Sequence, residues 1–357
     1  MKKITPGVPW LDTSGKLIQA HGGGILTMEE NGQTVYYWYG EDKTDGYRPL
    51  VGVHAYKSTN LLDWEDCGVV LKAMDNKSEF EIPYFAALYS HLSETEQAAI
   101  FADLHKHSAV MERPKVIYNT KNNNYVMWFH ADGPTATSDA NYAKAKAAVA
   151  VSSSPTGPFT LLGSYRLDHY GGEHYLHNPG MARDMTLFQD GETAYIIYAS
   201  EENYTLYISR LNGDHTMITS GGVESENYKP VEGQDYVRVF PMLHREAPAL
   251  FKHKGKFYML TSGCTGWHPN PALYAVADSV MGEWTNKNDP CVNDVKRTTF
   301  DSQSTFVLPL DSENGKYMYL GDRWVPSDLA NSRYIWLPLT VCESGNVKIK
   351  WADEWGL

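Results

Sequence analysis

No apolar run in the chain approaches the ~20 residues that a membrane-spanning helix requires. Cysteine is scarce. Cys67, Cys264, Cys291 and Cys342 show no CxxC spacing, which argues against a cysteine-based metal or redox motif and leaves free buried thiols as the expected state. Basic residues are outnumbered, 31 Lys and Arg against 43 Asp and Glu, for a net charge of -12. That balance argues against nucleic acid or an anionic membrane as partner, and says little about a neutral ligand. A G-x-S-x-G elbow is missing, so His21-Gly22-Gly23-Gly24 is not the oxyanion loop of a serine esterase. No P-loop Lys-Ser/Thr follows these glycines either, and the expected reason for them is steric: they let backbone approach a crowded centre. The start, Met1-Lys2-Lys3-Ile4-Thr5, has no apolar signal-peptide core. A cytoplasmic location is expected if the chain is complete, and a secreted or periplasmic one if a leader has been removed.

What the sequence does contain is a repeat. Five short polar turns each precede a strand rich in aromatic and β-branched residues. The turns are Asn31-Gly32, Asn122-Asn123-Asn124, Asp190-Gly191, Lys254-Gly255 and Asn314-Gly315, each a hairpin signal. Candidate inner strands precede them at Gln19 to Thr27, Met111 to Tyr118, Arg183 to Phe188, Arg245 to Phe251 and Ser302 to Leu308. The interval from Gly191 to Gly255 nearly equals that from Gly255 to Gly315, whereas Gly32 to Gly191 must hold two units plus an insertion. Ser93 followed by Glu96 is a capping box that opens a helix through about His107 within that insertion. Five repeats of this length predict an all-β, five-bladed β-propeller, with a short helical insertion between blades one and two. No Pro/Ser-rich linker or charge block divides residues 1–357, so one propeller domain is expected.

In such a fold the inner strands line the axis. Blade two offers Glu112-Arg113-Pro114-Lys115, blade three Arg183-Asp184-Met185, and blade four Arg245-Glu246-Ala247-Pro248. Acids at equivalent places in three successive blades would converge, which is costly unless function uses it, because like charges raise one another's pKa. Converging carboxylates with 24 Tyr and 10 Trp available point to glycoside hydrolysis, although core packing accounts for aromatics equally well. Metal motifs are weak: His105-Lys106-His107 lacks a shared helical face, and Glu173-His174-Tyr175-Leu176-His177 is not HExxH. His21 and His130 flank inner strands, with a hydrogen-bonded core histidine as the default.

The run Gln19-Ala20-His21-Gly22-Gly23-Gly24-Ile25, Tyr36 to Glu41, Glu112-Arg113-Pro114-Lys115, Arg183-Asp184-Met185, Arg245-Glu246-Ala247-Pro248 and Gly321-Asp322-Arg323-Trp324 resembles the exo-β-1,3-galactanase group of glycoside hydrolase family 43 over nearly the whole chain. The resemblance implies a five-bladed propeller that hydrolyses β-1,3-galactan with inversion. It implies Glu246 as general acid and Asp184 as the carboxylate that orients it and tunes its pKa. The family's usual base is an Asp on blade one, where this chain has His21 and glycines. In the galactanase group the water-activating role falls to the equivalent of Glu112 or of Gln303, and both stay open here. Sugar contacts are implied at His21, Glu41, Arg113, Tyr142, Asn203, Thr265 and Trp267. An oligo- or polysaccharide is the expected partner. No metal or cofactor is required, and a structural calcium has no support in the sequence. Another family 43 specificity, an α-L-arabinofuranosidase or β-xylosidase, and a catalytically silent carbohydrate-binding propeller are the alternatives.

Overall fold

The computed structural model describes residues 3–171 and 179–357. Five sheets follow one another along the chain. Blade one holds β1 (His21–Glu30), β2 (Gln33–Glu41), β3 (Gly52–Ser58) and β4 (Glu65–Lys72). Blade two holds β5 (Val110–Asn119), β6 (Asn124–Asp132), β7 (Lys146–Ser152) and β8 (Thr160–Tyr165). Blade three holds β9 (Arg183–Asp190), β10 (Thr193–Ser200), β11 (Thr205–Arg210) and β12 (Tyr236–Val239). Blade four holds β13 (Arg245–His253), β14 (Lys256–Gly263), β15 (Leu273–Ala277) and β16 (Thr285–Lys287). In blade five, β17 (Cys291–Val292) adds in parallel to the outer edge of β18 (Gln303–Asp311), β19 (Lys316–Arg323), β20 (Arg333–Val341) and β21 (Val347–Lys350). The expected propeller is the observed one, and each inner strand falls within three residues of its expected bounds.

Period-two alternation explains how these sheets pack. In β10, Ile196 and Tyr198 face blade two while Tyr195 and Ile197 face blade four. Every sheet is thus apolar on both faces, and five buried clusters fill the five gaps between neighbouring blades. The ring closes between blades five and one through Trp38, Trp64, Trp336 and Tyr334, with Ile4 bridging Trp355 near the ends of the chain.

The insertion contains α1 (Pro83–Tyr89) and α2 (Glu94–Leu104). Ser93 and Glu96 form the predicted capping box. The helix stops at Leu104 rather than His107, because His105 turns extended and bridges Met74. Phe85, Tyr89, Ile100 and Leu104 bury against the blade one–two cluster, so the insertion caps that interface. Among the described residues no helix is long and apolar enough to cross a membrane. All four cysteines are free but only half-buried, a less enclosed setting than the sequence suggested.

A register shift interrupts all five inner hairpins near the starts of the inner strands. Gly22 and Gly23, Arg113 and Pro114, Asp184, Ala247 and Pro248, and Thr305 are the residues left out of the ladders. Gly22, Arg113 and Ala247 have positive φ, at 61, 54 and 53°. A bulge bends its strand and re-aims side chains, here five times around one axis.

Two glycines separate the physical roles of this residue. Gly32 sits at φ +76° in a hairpin turn with open space around it, whereas a Cβ on Gly40 would lie 2.0 Å from the Ala20 carbonyl carbon. Gly32→Ala is expected to cost about 1 kcal/mol of conformational strain. Gly40→Ala meets backbone that cannot yield and is expected to lower the urea midpoint far more or to abolish folding.

Candidate active site

The bulged ends of the inner strands open into a cavity of about 610 Å³. Glu41, Glu112, Arg113, Tyr142, Asp184, Asn203, Glu246, Trp267 and Gln303 all line it. Register explains the convergence. Glu112 pairs with His130 and Glu246 with Ser262, each immediately before its strand's bulge, and Gln303 pairs with Asp322 one residue earlier, with Ser304 between it and the bulge. His21, opposite Glu41, holds that place in blade one. Asp184 departs from the expected equivalence. It lies within the blade-three bulge rather than before it, so only Glu112 and Glu246 occupy matching positions.

A buried guanidinium joins these residues. Arg113 places Nε 2.8 Å from Asp184 Oδ2, donates through Nη2 to Gln303 Oε1 at 2.6 Å, and donates through Nη1 to the Ser304 carbonyl at 2.9 Å. Gln303 Oε1 also accepts from Trp324 Nε1 at 3.1 Å, while its Nε2 donates to Glu246 Oε1 at 3.0 Å and Ser262 Oγ at 3.1 Å. Because Arg113 and Trp324 can only donate, they fix which end of the amide carries oxygen.

Glu112 lies in a separate network. Its carboxylate accepts from Tyr142 at 3.0 Å and Tyr47 at 3.2 Å, and meets His130 Nδ1 at 3.1 Å. His130 Nε2 meets Asp132 at 3.0 Å. Burial works against ionising Glu112, but the hydrogen bond and charge of His130 outweigh it and hold the carboxyl down at about 2. Burial likewise opposes the charged imidazole, and the carboxylates of Asp132 and Glu112 raise His130 to about 9. For Glu246, burial followed by the charge of Asp184 pushes the carboxyl up to about 8. The cavity thus pairs an ionised carboxylate with a protonated carboxylic acid at neutral pH.

Two predicted contacts lie elsewhere. His21 is fully buried behind the cavity wall, with its ring stacked on Tyr334 and 5.6 Å from Trp324, so it does not reach the cavity. Thr265 points away, donating to the His268 carbonyl and accepting from Asn270 at 2.7 Å; it braces the loop that presents Trp267. Other lining residues escaped the sequence reading: Tyr47, Asn141, Arg183, Cys264 and Trp324. Arg183 and Trp324 left a trace, as the ends of the Arg183-Asp184-Met185 and Gly321-Asp322-Arg323-Trp324 motifs, and Cys264 was noted only as a free thiol. Tyr47 comes from an irregular loop whose position depends wholly on tertiary packing.

Glu112, His130 and Asp184 bring ligand-type atoms within 4.8 Å of one another. Both His130 nitrogens already face carboxylates, those of Glu112 and Asp132, and Asp184 is paired with Arg113, so each member of the trio already has a charged partner. His105 and His107 turn to Ser108 and Asp75 respectively, and the Glu173 to His177 motif lies outside the described residues.

Fold and comparisons together define a glycosidase, and its cavity holds two carboxyl groups in opposite surroundings. The family model for glycosyl hydrolases family 43 matches residues 110–324. The chain belongs to glycoside hydrolase family 43. A β-1,3-galactosidase of that family, solved with galactodeoxynojirimycin, is 37% identical, with 99% of this chain and 100% of that one covered and a TM-score of 0.78. The exo-β-1,3-galactanase of Phanerochaete chrysosporium, solved with β-1,3-galactotriose, is 33% identical over 100% of this chain and 68% of its own, with a TM-score of 0.77. That of Clostridium thermocellum is 33% identical over 99% and 66%, with a TM-score of 0.75. No curated protein matched the chain.

The charge assignment is directly testable. Asp184→Asn removes a negative charge beside Glu246 and frees Arg113 to act on it, so the Glu246 pKa should fall from about 8. Carboxyl ¹³C titration, with Glu246→Gln identifying the resonance, reads the shift. An unchanged midpoint would show that Asp184 plays no part in it.

Proposed function

We propose that this chain is an inverting exo-β-1,3-galactosidase that releases galactose from β-1,3-galactan. The observation that carries the mechanism is that one cavity holds two carboxyl groups in opposite surroundings: Glu246 is buried near Asp184, which pushes it up, and Glu112 lies against His130, which pulls it down. Pairs of titratable groups pushed apart by their surroundings identify the acid and the base. Glu246, protonated at neutral pH, donates to the glycosidic oxygen. Asp184 keeps that proton in place by its charge, and Arg113 keeps Asp184 in place.

Glu112 is assigned to water activation in preference to Gln303. To act as a base, the amide would pass through an imidic tautomer with a proton on Oε1. That oxygen already accepts from Arg113 and Trp324, so a proton there would face two donors. Gln303 instead serves as the strap between Arg113 and Glu246, its Nε2–H keeping one oxygen of the acid engaged and leaving the other for the proton. Inversion needs acid and base ~6.5–9.5 Å apart with water between them. Trp267 at the rim, 5.5 Å from the Tyr47 ring, offers an aromatic face for a sugar. The galactose specificity rests on the named relatives and on the absence of a blade-one carboxylate at His21. No step in this scheme uses a cofactor, and the acidic chain suits a neutral saccharide better than nucleic acid.

Glu246→Gln should lower kcat on β-1,3-galactan by about 10²–10⁴-fold while galactose still binds by calorimetry. In the wild type, kcat/KM should fall tenfold per pH unit above about 8, because the acid must be protonated. Undiminished turnover of the variant would sink the assignment, and chromatography and ¹H NMR of the released sugar check its identity and anomer.

The base assignment is settled by comparing Glu112→Gln with Gln303→Ala. The first should lose hydrolysis and recover in azide by forming a glycosyl azide. The second should weaken catalysis without azide recovery. A robust Glu112→Gln enzyme eliminates the carboxylate base.

A further inference from the structure

Lys115 has no role in the chemistry above, yet it is buried beneath it. In each inner strand a residue follows the bulge and resumes the ladder: Gly24, Lys115, Met185, Ala249 and Phe306. Four are apolar or glycine, and one is a lysine that is 2% exposed. Its Nζ donates to the Gly22 carbonyl at 2.7 Å and the Arg113 carbonyl at 3.3 Å. Both carbonyls belong to bulge residues that the strand ladders skip, in blades one and two. The stem runs where a Cβ on Gly24 would stand, 2.6 Å from Lys115 Cδ, so blade one makes room for it. Burial, reinforced by the charge of Arg113, lowers the ammonium's pKa to about 7, and an apolar side chain would fill the same place without that cost. Its stem lines a second cavity of about 610 Å³ on the far side of the inner strands, between Ile25, Ile117, Leu250 and Phe306.

We propose that Lys115 is a positioning residue that clamps the blade-one and blade-two bulges together and thereby sets Arg113, on which Asp184, Gln303 and the proton-donating geometry of Glu246 depend. This rests on the roles given above to Arg113 and Glu246. It does not depend on which sugar is cleaved. Lys115 also lines that second cavity, so a small ammonium entering there can take the place of a truncated side chain.

The experiment takes as substrate whichever aryl glycoside or galactan the wild type turns over fastest, so an error in the assigned sugar is seen separately and first. Lys115→Met fills the volume without a donor. Its kcat should fall about 10²-fold, the scale of a small misplacement of catalytic groups, with KM within about twofold and the same thermal midpoint within a few degrees. Lys115→Ala should show the same loss and recover at least tenfold in n-propylammonium, which restores the deleted atoms, and Lys115→Met should not respond. A Lys115→Met enzyme within threefold of wild-type kcat, or equal recovery of both variants, would overturn the proposal. If Lys115→Ala fails to fold, the Lys115→Met kcat and KM alone decide it.

Discussion

The active site is organised around one buried cation. Arg113 takes its position from a bulge in blade two, reaches Asp184 in blade three, and donates to Gln303 and Ser304 in blade five. A planar fork can satisfy a carboxylate, an amide oxygen and a carbonyl at once, which a lysine at this place could not. Burying such a charge is costly, and here a neighbouring carboxylate compensates: burial would lower its pKa, but the charge of Asp184 above all holds it ionised. Removing the guanidinium would leave Asp184 a half-buried charge without its ion-pair partner and Gln303 without its shortest donor. The arrangement of the cavity wall thus depends on an ion pair that spans blades, and on the five apolar interfaces that keep those blades in register.

The repeat supplies the symmetry and the bulges break it usefully. A regular strand would alternate its side chains between neighbouring blades, leaving few directed at the axis. Skipping residues at the start of the inner strands brings Glu112, Arg113, Asp184 and Glu246 to the cavity, while His21 in blade one stays behind its wall. Because the local details differ, equivalent strands deliver different chemistry: a low carboxylate in blade two, a raised carboxylic acid in blade four, and an amide strap in blade five.

Five hairpins, their inner strands and the insertion were legible from turn chemistry and period-two patterning, because those signals are local. The acids on blades two to four were legible as convergent once the repeat assigned each a blade. What stayed hidden was tertiary. Tyr47 enters from a loop with no periodic signal, and Trp324 reads as strand-end motif until its indole meets Gln303. His21 looked like a site residue because it starts an inner strand, yet its ring turns between Tyr334 and Trp324 behind the wall. Of the second-strand partners, His130 drew notice only as flanking an inner strand and Ser262 carried no flag, although they meet Glu112 and Gln303 respectively.

Blade one shows how the fold accommodates the missing inner-strand carboxylate. Directly across the ladder from His21 stands Glu41, the last residue of the second strand. A Cβ on Gly22 would lie 2.2 Å from Glu41 Oε1, so the glycine leaves the carboxylate a path toward the axis. There Glu41 accepts the Arg113 backbone N–H at 2.9 Å and pairs with Lys43 at 2.7 Å. An acid delivered this way is committed to holding the Arg113 bulge and is unsuited to activating water. The glycines therefore do more than relieve crowding: they let a second-strand acid occupy blade one's share of the axis as a structural support. In the proposed scheme the task of activating water then falls to another blade, and among the described residues blade two offers the carboxylate held low at the equivalent bulge position.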